Sequence, residues 1–242
     1  MCWLRALQAL HCLPRVEELD LEDQDLIVLP ERLWSDTRRV SVLRLGGNRL
    51  EDLPSRVGEL AALRKLYLGA NRLDALPPEL GALQHLRLLD LHGNRLRTLP
   101  PAVCGLARLQ YLNLDANALR TLPPEVGALG ALLVLSVNAN PLESLPPQLG
   151  ALNTLHELYA FETRLRALPA ELGALPLLGW RLDRPLHQLV PIAQALHARR
   201  RSRAAIRADA RYGAWVLRWI CDRLGWRLPR HVVAAIVRLL CA

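Results

Sequence analysis

LRKLYLGANRLDALPPELGAL, residues 63–83, is the stretch of sequence that decides the fold. Its first half alternates leucine with other residues at a period of two, which favours a short strand with one buried face. Nearly the same phrase runs through residues 86–106 and 109–129, so the chain repeats every 23 residues. A unit this short buries its apolar face only by stacking on its neighbours, which predicts a repeat array.

An asparagine recurs every 23 residues, at the same position in successive repeats. One asparagine amide per unit can both donate and accept, and so satisfy backbone groups left unpaired where a strand turns away. We therefore predict a structural asparagine ladder, approximated at its ends by Gln24 and Thr163 and formed by Asn48, Asn71, Asn94, Asn117 and Asn140. An eighth unit degenerates after Leu178, and the seven regular units begin at Val16, Val40, Leu63, Leu86, Leu109, Leu132 and Leu155.

The units predict an α/β solenoid of about seven 23-residue repeats, with a parallel sheet along its concave side. Paired prolines such as Pro77-Pro78 fix φ and remove N–H donors, so each unit should return along the convex side as irregular backbone or a short helical turn. The predicted boundaries are a capping segment at 1–15, the solenoid at 16–178 and a basic α-helical cap or tail at 179–242.

The repeated phrase resembles the intracellular Ras-group type of leucine-rich repeat, and the resemblance covers residues 16–178. Repeats of this type occur in Ras suppressor, in scaffolds of Ras–Raf signalling and in plant intracellular Ras-group proteins. The resemblance implies an adaptor or scaffold that binds another protein through the concave face, often in signalling. It does not identify the partner.

The net charge of +8 belongs to the C-terminal segment. Residues 1–178 hold 18 basic and 20 acidic residues, whereas residues 179–242 hold 13 basic and 3 acidic ones. The five cysteines lack the spacing of a disulfide framework or a zinc site. No basic leader and no apolar stretch of about 20 residues is evident, so we expect a reduced, cytoplasmic protein.

Catalytic motifs are absent from the sequence. His92 beside Asp90 and Asp115 could indicate a metal or a general base, but a shallow sheet lacks a pocket and a nucleophile. There is no Gly-rich phosphate loop, zincin motif or nucleophile elbow. We expect no enzymatic activity, metal, cofactor or small-molecule substrate.

The residues that alternate with buried leucines should face outward on the concave side. Three of the four tyrosines and the only phenylalanine fall there, and exposed aromatic residues of this kind are candidate interface anchors. Alternatively, they pack on one another and shield the leucines. The candidate protein-binding residues are Glu18, Asp20, Glu22, Arg44, Lys65, Tyr67, Asp90, His92, Tyr111, Asn113, Asp115, Ser136, Asn138, Tyr159 and Phe161.

Charge is graded along this face. The acidic first repeat suggests a partner with a basic element there and apolar groups toward repeats 6 and 7. Alternatively, the acidic residues keep an exposed sheet edge soluble. Arginines after the asparagine positions should form a ridge on one rim, which is either solvated or faces an anionic partner: Arg49, Arg72, Arg95 and Arg164.

The C-terminal segment loses the period from about Pro185. Its composition predicts helices at about 192–224 and 229–240, which would cap the open end of the solenoid. Alternatively, Leu217, Cys221 and Leu228-Pro229 resemble a shortened SOCS box, and residues 228–239 resemble the first F-box helix. Either would make the protein a substrate receptor of a ubiquitin ligase.

A third interpretation concerns the arginines between positions 199 and 211. They could bind an anionic membrane or nucleic acid, although in a helix they would spread over several faces. We regard nucleic acid or a membrane as the less favoured partner.

Overall fold

The computed structural model describes residues 17–34, 39–166, 168–169, 171–172, 175 and 179–182. The predicted N-terminal capping segment lies outside these residues. So do the predicted C-terminal helices, with their SOCS-box-like, F-box-like and basic sequences.

Eight short parallel strands form one sheet in chain order. The strands are β1 (Glu18–Asp20), β2 (Val42–Arg44), β3 (Lys65–Tyr67), β4 (Leu88–Asp90), β5 (Tyr111–Asn113), β6 (Val134–Ser136), β7 (Glu157–Ala160) and β8 (Gly179–Leu182). Each strand pairs with the next without crossover, which confirms the predicted solenoid. Strand β8 extends the sheet four residues into the segment that the sequence analysis had assigned to the C-terminal cap.

The chain returns along the opposite side through 3-10 turns, as the paired prolines predicted. Pro78 opens one such turn, with Pro77 before it in the extended conformation at φ −70°. Proline suits this position because the first turn of a helix has no use for its missing N–H. The turns described are Glu31–Trp34, Ser55–Glu59, Pro78–Ala82, Pro101–Gly105, Pro124–Ala128 and Pro147–Ala151.

Leucine fills the core between the sheet and the turns. Three leucines of one repeat are fully buried: Leu66 in β3, Leu68 just after that strand, and Leu80 in the following turn. Burying one leucine side chain contributes about 1.5–3 kcal/mol. The other repeats bury apolar residues at the same positions, for example with Val103 and Val126 in place of Leu80 and Val137 in place of Leu68. The core is therefore one continuous column along the solenoid.

The asparagine ladder joins adjacent repeats. The Asn117 oxygen accepts the N–H of Leu96 at 3.0 Å, while its nitrogen donates to the carbonyls of Leu91 at 2.9 Å and Leu114 at 3.0 Å. Asn71, Asn94 and Asn140 make equivalent bonds. Each amide thus satisfies buried backbone groups in two repeats at once.

The residue before each asparagine has left-handed backbone. Ala70, Ala116 and Ala139 occupy this position at φ 49–53°, although the conformation costs a residue with a Cβ about 1–2 kcal/mol. Glycine occupies it in only two repeats, as Gly47 and Gly93. The turn after each strand is therefore imposed by the bonds around the asparagine, because most units lack a glycine to favour it.

Glycine also permits close stacking of the 3-10 turns. A Cβ on Gly127 would lie 2.5 Å from the carbonyl oxygen of Gln148 in the next turn. Cys104 takes the equivalent position in its own repeat, where it is buried. Burial, with the Glu125 carboxylate adding to it, raises the pKa of the Cys104 thiol to about 11.

We expect Gly127→Ala to lower the free energy of unfolding by about 1–3 kcal/mol, because backbone must move to admit the methyl group. Gly105→Ala is the matched control, since a Cβ there would meet nothing within 4 Å. The control should be neutral or stabilising by up to about 1 kcal/mol. Urea denaturation followed by circular dichroism measures both, and equal effects would contradict the stacking argument.

Candidate protein-binding face

The register places the predicted outward residues in columns across the sheet. Lys65 pairs with Leu88, and Leu88 pairs with Tyr111. In the second column Tyr67 pairs with Asp90. We call this surface, opposite the leucine core, the concave face.

An apolar row crosses the middle of the concave face. Leu88, Tyr111 and Val134 lie side by side on β4, β5 and β6, and each is half-buried. Leu133, immediately before β6, is 38% exposed. Neighbouring strands are about 4.8 Å apart, so the row spans about 10 Å. A partner would remove these side chains from water.

Arg44 is held between two of the other candidate residues. Its Nε donates to Glu18 Oε1 at 2.8 Å, and its guanidinium lies 4.6 Å from the ring centroid of Tyr67. The hydrogen bond to Glu18 raises the pKa of Arg44. One acidic charge of the first repeat is thus already paired within the sheet. Asp20 accepts the N–H of Glu22 at 3.0 Å.

A second polar ladder joins repeats 5, 6 and 7 where their strands end. Asp115 Oδ1 accepts the N–H of Asn138 at 2.7 Å, and Asn138 Oδ1 accepts the N–H of Phe161 at 2.7 Å. The Ser136 hydroxyl also donates to Asp115, and Ser136 is only 5% exposed. Asn113 Oδ1 accepts the N–H of Asp115. The side chains of Asp115, Ser136 and Asn138 therefore make hydrogen bonds within the protein.

His92 and Asp90 form a local pair. The distance from His92 Nδ1 to Asp90 Oδ1 is 2.9 Å. The imidazole covers Gly69, where an added Cβ would lie 2.1 Å from the ring. Within the described ranges no group of three His, Cys, Asp or Glu side chains could hold a metal ion.

Tyr111 and Tyr159 differ in their surroundings. The Tyr159 hydroxyl donates to Glu157 at 2.5 Å. Burial, followed by the charges of Asp90 and Asp115, raises the pKa of Tyr111. Tyr111 therefore stays neutral at physiological pH and presents an uncharged ring beside two carboxylates.

A cationic edge, which the sequence analysis did not single out, lies where the strands begin. It consists of Arg64, Lys65, Arg87 and Arg108. The Arg87 N–H donates to the Arg64 carbonyl at 2.7 Å, so these two residues sit in adjacent repeats. Arg108 donates to His85 Nδ1 at 2.9 Å. Only Lys65 had been a candidate, because the other three precede the alternating strand residues.

The predicted ridge of arginines lies on the other rim. There Arg49 pairs with Asp25 at 2.8 Å. Arg72, Arg95 and Arg164 are exposed at the equivalent positions.

Comparison with known proteins supports the fold. A family model described as leucine rich repeat matches residues 61–119. No curated protein matches the chain. Among the described residues, no helix is long and apolar enough to cross a membrane.

Solved leucine-rich-repeat structures are similar over most of the solenoid. A Leptospira interrogans leucine-rich-repeat protein has a TM-score of 0.58 at 26% identity, covering 77% of this chain and 61% of its own. The leucine-rich-repeat domain of the type III effector XopL has a TM-score of 0.62 at 25% identity, covering 72% of each chain.

A plant receptor shows the same fold in a longer array. The ectodomain of the Arabidopsis thaliana receptor kinase GASSHO1/SCHENGEN3 has a TM-score of 0.57 at 28% identity, covering 64% of this chain and 20% of its own. With the strand order and the asparagine ladder, these likenesses define a leucine-rich-repeat solenoid. That fold is typical of protein-binding scaffolds.

The raised pKa of Tyr111 can be measured from the difference in absorbance at 295 nm between the wild type and Tyr111→Phe as pH rises. We expect a midpoint above the ordinary value of about 10. The Tyr111 hydroxyl loses its proton at lower pH in the unfolded chain than in the folded one. The free energy of unfolding should therefore fall as pH rises above about 10. A midpoint at or below 10 would contradict the burial of this ring.

Proposed function

We propose that this chain is a cytoplasmic, non-catalytic adaptor of the Ras-group type, which binds another protein through its concave face. The observation that carries the proposal is the apolar row of Leu88, Tyr111 and Val134 on the side of the sheet opposite the core. Partly exposed apolar side chains grouped on a rigid surface are typical of a protein-binding site.

Rigidity supports the same proposal. The asparagine ladder and the ladder through Asp115 and Asn138 hold the sheet on both sides of the strand ends. A preorganised surface loses little conformational freedom on binding, so more of the contact energy appears as affinity.

The similar structures also support a protein or peptide partner. The GASSHO1/SCHENGEN3 ectodomain is described in complex with CASPARIAN STRIP INTEGRITY FACTOR 2, and the plant peptide hormone receptor RGFR1 in complex with RGF2. RGFR1 has a TM-score of 0.53 at 26% identity, and the similarity covers 61% of this chain and 28% of that receptor. We propose that this chain also binds a protein or peptide, and we assign it to no particular signalling pathway.

The test compares affinity capture by the full chain with capture by two double variants. Leu88→Ser/Tyr111→Ser removes the centre of the apolar row. Ile27→Ser/Val28→Ser is the matched control, because these side chains are 59% and 60% exposed but lie outside the columns. Circular dichroism confirms that each variant is folded, and quantitative mass spectrometry compares the captured proteins.

We expect the apolar-row variant to bind the captured partner at least tenfold more weakly, since losing anchor side chains costs about 2 kcal/mol or more. The control variant should bind as the wild type does. Equal binding by all three proteins would contradict the proposal. If all three proteins capture elongin, Skp or cullin proteins equally, the ubiquitin-ligase interpretation replaces it.

A further inference from the structure

We propose that the partner presents a short acidic and apolar peptide segment, whose carboxylates bind the cationic edge while its apolar side chains cover the row beside it. This inference rests on the proposed function and specifies the chemistry of the partner. The structural basis is the juxtaposition of Arg64, Lys65 and Arg87 with Leu88 and Tyr111 in adjacent repeats.

The cationic edge has no compensating carboxylate within the part of the chain that the structure describes. The ion pairs found there join Arg44 to Glu18, Arg49 to Asp25 and Arg56 to Glu59, all away from this edge. Arg64, Lys65 and Arg87 are exposed. Like charges on adjacent strands repel one another, and a carboxylate placed between them would relieve that repulsion.

Arg108, the last residue of the repeat that carries Arg87, extends the cationic edge toward the start of β5. Its guanidinium donates to His85 Nδ1 at 2.9 Å. The contact joins Arg108 to His85, the last residue of the preceding repeat. The edge is therefore a strip of positive charge along the starts of strands β3, β4 and β5.

The other side of the apolar row is acidic and already bonded. Asp90 contacts His92, and Asp115 accepts from Ser136 and Asn138. A carboxylate of the partner would be repelled on that side and attracted at the cationic edge. This asymmetry sets how a bound segment is oriented, with its acidic groups toward the start of the strands.

The acidic ends of the array favour a short peptide over a nucleic acid. Along the line of strand starts, Glu17 precedes β1 on one side of the cationic strip and Glu157 begins β7 on the other. Because the strip runs only from β3 to β5, a continuous polyanion would meet these carboxylates. A segment with a few acidic residues beside apolar ones fits the available length.

The experiment selects peptides from a phage-displayed library of random 12-residue sequences, with the full chain as target. Arg64→Glu/Arg87→Glu reverses two charges of the strip. Arg72→Glu/Arg95→Glu makes the same charge change on the opposite rim and is the matched control. The basic C-terminal segment is present in all three proteins, so its contribution is common to them.

We expect the wild type and the control to select peptides rich in Asp, Glu and large apolar residues. Arg64→Glu/Arg87→Glu should bind the selected peptides at least tenfold more weakly in fluorescence anisotropy, while the control changes less than about twofold. The inference is overturned if no peptides are selected, if the peptides lack acidic residues, or if both reversals act equally. It is also overturned if a 20-nucleotide single-stranded DNA binds and only the strip reversal abolishes that binding.

Failure of the inference and failure of the proposed function give different results. One outcome is that the selected peptides lack acidic residues but do not bind Leu88→Ser/Tyr111→Ser. That result would support binding at the concave face and contradict the proposed acidic chemistry of the partner. Peptides unaffected by either Leu88→Ser/Tyr111→Ser or Arg64→Glu/Arg87→Glu would contradict both.

Discussion

The side-chain amide of each ladder asparagine is the interaction on which the rest of the structure depends. At Asn94, for example, the oxygen accepts from Leu73 in one repeat while the nitrogen donates to Leu68 and Leu91 in two. Leaving such backbone groups buried and unpaired would cost about 1–3 kcal/mol each. Leucine packing is not directional, so these bonds act together with the backbone hydrogen bonds between strands to hold successive repeats in one register. The columns of the concave face exist because that register is constant.

Those features that recur at the same position in every unit could be predicted from the sequence. The asparagine spacing placed the ladder, the alternation around Tyr67 placed the columns, and Pro77-Pro78 placed the return on the convex side. Features that no characteristic residue signals were missed. The left-handed backbone recurs before each ladder position, but at Ala116 no glycine signals it, and strand β8 lies within a degenerate phrase.

The candidate site was only partly predictable, because sequence alternation identifies which side chains face outward but does not show where they bond. Ser136, Asp115 and Asn138 face the predicted side yet bond one another across repeats. Arg64 and Arg87 lie just before the alternating segment and escaped notice. The surface that remains for a partner is the apolar row with the cationic edge beside it, on a sheet whose polar groups are largely satisfied.

The most direct test of this account is the free energy of unfolding of Asn117→Ala, measured by urea denaturation. Removing the amide leaves the buried N–H of Leu96 without a partner and takes one of two donors from the carbonyls of Leu91 and Leu114, which keep Asn94 and Asn140. A loss of about 1–3 kcal/mol is therefore predicted. Asn153→Ala, at an exposed position outside the ladder, is the control and should change stability by less than about 0.5 kcal/mol. If the two substitutions cost the same, leucine packing and the backbone hydrogen bonds of the sheet hold the repeats in register without the ladder, and its central role is wrong.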